Sequence, residues 1–151
     1  MKIDAVDFFY VAMPEVTIAA DGSQDALVVR VSAGGHIGWG ECEASPLPSI
    51  AAFVTPMSHG ACRPVSASVL GATLDGPEDI KRMAATIAYN SMDLLQAAHT
   101  WSGIEMALWD VLGKARVYIT PDQSVPLEIR TDLMEVDNGG NAFKKLTEEA
   151  P

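Results

Sequence analysis

Residues 102–114, Ser102-Gly-Ile-Glu-Met-Ala-Leu-Trp-Asp-Val-Leu-Gly-Lys114, decide how the rest of the chain is read. Ile104, Leu108, Val111 and Ala115 recur at helical spacing and form one apolar stripe. Ser102 with Glu105 three residues later has the pattern of a capping box, so the spacing predicts a helix over about 102–116 that begins at Ser102. Asp110 and Lys114 stand four residues apart on the opposite face and are expected to pair. Trp101 and Trp109 add large aromatic surface. The segment has more apolar area than a small domain easily covers. One side of this Ile104 helix is therefore expected to lie bare unless a partner packs on it.

Upstream of this helix the pattern is β and then α. Ile3 to Val11 is rich in aromatic and β-branched residues and reads as a strand. Met13 to Gln24 contains Pro14 and Asp21-Gly22-Ser23 and reads as a loop. Ala26 to Ala33 is the clearest strand, Gly34-Gly35 a tight turn, and His36 to Glu43 a third strand. From Ser49 the pattern turns helical. Pro77 after Asp75-Gly76, with Glu78 and Asp79 in the first turn, marks a helix start. Ile80, Met83, Ala84 and Ile87 give that helix an apolar face, and Asn90-Ser91 ends it. Met92 to His99 reads as a short separate helix. The fold class is α+β: a three-stranded antiparallel meander packed on a helical bundle. After Arg116, Val117 to Thr120 and Asp132 to Val136 read as short strands between the breakers Pro121, Pro126 and Asn138-Gly139-Gly140-Asn141.

Composition narrows the function. With 151 residues and 48% hydrophobic content, a folded domain with a real core is expected. Twenty acidic residues against ten basic ones give a net charge of −10. The only basic clusters are the pairs Lys81-Arg82 and Lys144-Lys145, which argues against nucleic acid and anionic membranes as partners. No membrane span or signal-peptide pattern is read, and the expected location is cytoplasmic. Cys42 and Cys62 are then reduced thiols. His59-x-x-Cys62 is half a zinc site without a second half. Ser45, His59 and Asp75 can be written as a hydrolase triad, but no nucleophile-elbow pattern accompanies them.

Gly35-His-Ile-Gly-Trp-Gly-Glu41, followed by the Ser102–Lys114 stretch, resembles the enolase superfamily and, within it, the mandelate racemase and muconate lactonizing enzyme branch. The resemblance covers residues 1–116 and implies an N-terminal capping domain that sits over the mouth of a (β/α) barrel. It further implies that two cap loops contact substrate. By position these are Met13 to Gln24 and the segment from Glu43, with Val16, Thr17, Ile18, Glu43, Ser45 and Pro46 as substrate-contact candidates. The family's activity is proton abstraction next to the carboxylate of a small acid such as an acid sugar, leading to racemisation, cycloisomerisation or dehydration. Its base is Lys or His, its cofactor is magnesium held by three acids, and its parent enzymes are expected to be homo-oligomers. Against that pattern, Asp132-Leu-Met-Glu-Val-Asp-Asn-Gly-Gly140 resembles a barrel strand whose Asp137 would be a metal ligand, with Glu135 an addition to the pattern. The other ligands and the base have no counterpart. Residues 117–151 are accordingly an irregular extension, a truncated or remnant piece of barrel. The chain alone is expected to be inactive and to bind no magnesium tightly. The competing reading is a non-catalytic stand-alone interaction module or a decayed paralogue.

Overall fold

A computed structural model describes residues 1–18, 24–42 and 45–119, with the side chains of 117–119 left aside. Three strands, β1 (Ile3–Val11), β2 (Ala26–Ala33) and β3 (His36–Cys42), are followed by α1 (Pro46–Val54), α2 (Ser66–Val69), α3 (Pro77–Asn90) and α4 (Ala97–Ile119). The sheet order is β1-β2-β3, antiparallel throughout. The hairpin between β2 and β3 turns at Gly34 and Gly35, with φ of 55° and 82°. Two successive positive φ values suit glycine and match the right-handed twist of the strands.

The alternation along β2 is strict. Leu27, Val29, Val31 and Ala33 are buried, while the residues between them are half-exposed. α4 packs against this inner face, with Ala97, Trp101, Ile104, Leu108, Val111 and Ala115 all buried and spaced four, three, four, three and four apart. Met106 and Trp109 on the same helix stay about half-exposed, whereas the Ile104 stripe is covered by the domain's own sheet. Glycine is the reason. A β-carbon on Gly38 would lie 2.0 Å from the carbonyl oxygen of Ala107, and one on Gly40 2.1 Å from that of Gly103. A β-carbon on Gly103 would stand 2.9 Å from Val29 Cγ2 and 3.1 Å from Cys42 Cβ. Helix and strand backbones approach almost to contact, which brings the long apolar stripe within reach of β2 and β3.

The helix start at Ser102 is not observed. α4 begins at Ala97, five residues earlier, and absorbs the end of the expected short helix 92–99. Ala97 and Trp101 extend the buried stripe toward the N-terminus, and this burial outweighs the local cap signal. The Ser102 hydroxyl instead donates to the carbonyl of His99 at 2.7 Å. At the other end α4 runs through Val117–Ile119 in place of the expected strand. Helix propagation overrides the β propensity of these residues. α1 likewise begins at Pro46 and not Ser49, because prolines in a first helical turn forfeit no hydrogen bond.

Asp110 and Lys114 do pair, at 2.7 Å, and they do more. Asp110 Oδ2 accepts from the Trp39 backbone N–H at 2.9 Å, and Lys114 Nζ donates to the Ile37 carbonyl at 2.9 Å. β3 is an edge strand, and this charged pair occupies backbone groups that a fourth strand would otherwise use. On α3, Asp79 Oδ2 accepts from the backbone N–H groups of Asp75 at 2.6 Å and Gly76 at 3.2 Å, satisfying donors at the helix start. These bonds, with Arg82 alongside, hold the Asp79 carboxyl below the usual aspartate value.

Met1–Ile119 forms a compact unit of its own; residues 120–151 lie outside the described residues, as do the strand expected over 132–136 and the remnant barrel. Among the described residues no helix is long and apolar enough to cross a membrane.

Candidate substrate-facing loops

The register of the sheet fixes where the two candidate loops begin. Val11 pairs with Ala26, and Leu27 pairs with Cys42. The exit of β1, the entry of β2 and the exit of β3 therefore stand at one end of the sheet, opposite the glycine hairpin. The β1–β2 connection and the β3–α1 connection both leave from that end. This is the arrangement two cooperating loops need, since a rigid scaffold can then present both to one ligand.

On the first connection Val16, Thr17 and Ile18 are exposed. Its base is tied down. Asp25, the residue before β2, accepts a hydrogen bond from the Tyr10 hydroxyl at the end of β1, and its other carboxylate oxygen accepts from the Met13 N–H at 2.8 Å. The two bonds favour the ionised form and hold the Asp25 carboxyl below its ordinary value. The Tyr10 phenol, giving its proton to a carboxylate, is pushed up. Nothing in the sequence reading singled out Asp25 or Tyr10. The usable signal was an acid flanking a strand with a tyrosine at the register-matched end of its partner.

On the second connection Glu43 lies outside the described residues. Ser45 is exposed and its hydroxyl makes no cap bond to α1; its carbonyl accepts from the Ser49 N–H and hydroxyl at 3.2 and 3.0 Å. Pro46 is the first residue of α1, so its position is set by a helix and not by a free loop. Asp137 lies outside the described residues.

The other constellations resolve into structural partners. His59 is hydrogen-bonded to Ser58 Oγ at 2.9 Å and to Asp93 Oδ2 at 2.6 Å. Asp75 instead holds the Met1 amino group, so the Ser45–His59–Asp75 grouping gains no shared geometry. The His59-x-x-Cys62 spacing belongs to a tight turn, with the Cys62 N–H donating to the His59 carbonyl at 3.0 Å. Both cysteines are free. Cys42 is buried, and that burial pushes its thiol up, away from nucleophilic use. A groove of about 340 Å³ between α3 and α4 is lined by Ile87, Leu94, Ala98 and Trp101, with Ser91 its one polar side chain. Ser91 Oγ already donates to the Arg63 carbonyl at 2.7 Å. No three His, Cys, Asp or Glu side chains among the described residues come together as metal ligands, so the described residues do not fit a magnesium site.

Residues 7–119 match the model of the family "Mandelate racemase / muconate lactonizing enzyme, N-terminal domain". The chain belongs to that family. A crystal structure of a predicted mandelate racemase from Rhodobacter sphaeroides is 77% identical to this mandelate racemase-family chain over 76% of its length, with a TM-score of 0.74. The match covers 29% of the Rhodobacter protein. A second crystal structure, of a provisionally named racemase, is 24% identical over 75% of the chain and 28% of its own, with a TM-score of 0.57; it supports the fold alone. A comparison with curated proteins finds no significant match. The three-stranded sheet followed by helices is the N-terminal domain fold of the enolase superfamily, as the sequence resemblance implied, and the chain spans under a third of the length of these two relatives.

Proposed function

We propose that this chain is the substrate-facing cap of a mandelate racemase-type enzyme that acts on a small carboxylate, such as an acid sugar, by removing the proton next to the carboxylate. Racemisation, cycloisomerisation or loss of water would follow. The observation that carries the reading is the 77% identity to the Rhodobacter protein across the cap. The shared origin of both loops at one sheet end supports it. In this reading Val16, Thr17, Ile18, Glu43, Ser45 and Pro46 shape the substrate site and exclude water. Magnesium, when bound in such an enzyme, offsets the charge that develops on the substrate carboxylate. Asp137 is this chain's one candidate ligand. The base and the remaining ligands belong to a barrel, and the chain alone does not turn over substrate. The proposed setting is a cytoplasmic, homo-oligomeric parent enzyme, to which the two free thiols are suited.

A second reading, a non-catalytic stand-alone module, draws on the closed core of Met1–Ile119. A chimera separates the two. Residues 7–119 replace the matching segment of the Rhodobacter protein, and chimera, parent and the 151-residue chain are assayed with magnesium for exchange of the α-proton of mandelate and of acid sugars in deuterium oxide. The cap reading expects exchange by the chimera at a rate comparable with its parent and none by the chain alone. A folded chimera without activity beside an active parent would favour the module. Exchange by the isolated chain would show that the chemistry lies within it.

A further inference from the structure

We infer that Asp25 is the positioning residue of the β1–β2 connection, tying the two ends of that connection together and so setting where Val16, Thr17 and Ile18 stand. The inference rests on the reading of these three as substrate contacts. Asp25 sits directly before β2, while Tyr10 and Met13 flank the end of β1. One carboxylate thus bridges both sides of the connection, through the Tyr10 hydroxyl and the Met13 N–H. Bonds to an ionised acceptor are the stronger kind, and both carboxylate oxygens are used.

The backbone just beyond this clasp is stiff. Met13 is held by its N–H, and Pro14 fixes its own φ and restricts Met13 to extended backbone. Only Glu15 separates this pinned pair from Val16. A displacement at Asp25 is therefore passed to Val16 with little slack. Asn at this position would keep an oxygen acceptor but lose the charge that both bonds exploit.

The experiment uses the 151-residue chain with Asp25→Ala, Asp25→Asn and Tyr10→Phe, the last to identify the Tyr10 signal among the three tyrosines. Amide exchange at Met13 and the ultraviolet titration of the phenols are measured, with the urea midpoint as a check on folding. Asp25→Ala is expected to speed Met13 exchange about tenfold at an unchanged midpoint. It should also return Tyr10 to the titration of an ordinary tyrosine. Asp25→Asn should keep most of the Met13 protection while Tyr10 shifts as in the alanine variant. Unaltered Met13 exchange in Asp25→Ala overturns the clasp. These measurements contain no substrate, so they do not depend on the cap reading. In the active chimera, Asp25→Ala should raise KM while leaving kcat nearly unchanged; faster Met13 exchange with an unmoved KM would overturn the link to substrate.

Discussion

Gly38, Gly40 and Gly103 let α4 rest directly on the backbone of β3. The sequence showed two of them as part of a glycine-rich hairpin ending. Their use was not readable there, because it depends on which face of β3 meets α4 and at what distance. The turn glycines Gly34 and Gly35 were readable, since positive φ is a local demand. The close-approach glycines answer a tertiary one. Gly40→Ala places a β-carbon 2.1 Å from a backbone oxygen that no rotamer change can move. We expect a loss of about 3 kcal/mol, the upper part of the usual cost of overpacking, read as a lowered urea midpoint. A change below about 0.5 kcal/mol, the scale of an inert surface substitution, would mean that α4 does not lie against β3 at that point. Asp25 was missed for the same kind of reason: Tyr10 lies 15 positions away in the chain, and only the strand register brings them together.

Among the elements, the strands and α3 were legible almost to the residue. β2 alternates strictly, and α3 announces itself with Pro77 and two acids. The start of α4 was not. Ser102 and Glu105 imitate a cap, yet Ala97 and Trp101, both upstream of Ser102, are buried, and core burial decides. The misreading can be tested. A true N-cap serine costs about 1 kcal/mol when replaced by alanine. Inside a helix and exposed, Ser102→Ala should change stability by less than about 0.5 kcal/mol, because alanine is the better helix former and the bond to His99 merely competes with the backbone. A loss of about 1 kcal/mol by urea titration would restore the shorter helix. The Asp110–Lys114 pair was foreseen as an ordinary surface pair. Its hold on the edge of β3 was hidden until the helix could be set beside the strand.

At the scale of the whole molecule, the cap was visible in the order of its parts: meander, glycine hairpin, helices, long helix. Of the candidate site, the choice of both loops came from the family resemblance, whereas the side chains that tie down the first of them were not readable. Pro46 shows the limit, since a residue read as loop proved to open a helix. The unit Met1–Ile119 holds together because one helix rests directly on two strands, with the α1–α3 layer closing the core through Phe53, Val65, Leu74 and Ile80. Nuclear Overhauser contacts in the 16.1 kDa chain test this most directly. We expect strong cross-peaks from the Gly40 α-protons to the Ala107 amide and from the Gly38 α-protons to the Val111 amide. Their absence, with both helix amides exchanging as fast as in an isolated peptide, would contradict the fold on which the cap reading stands.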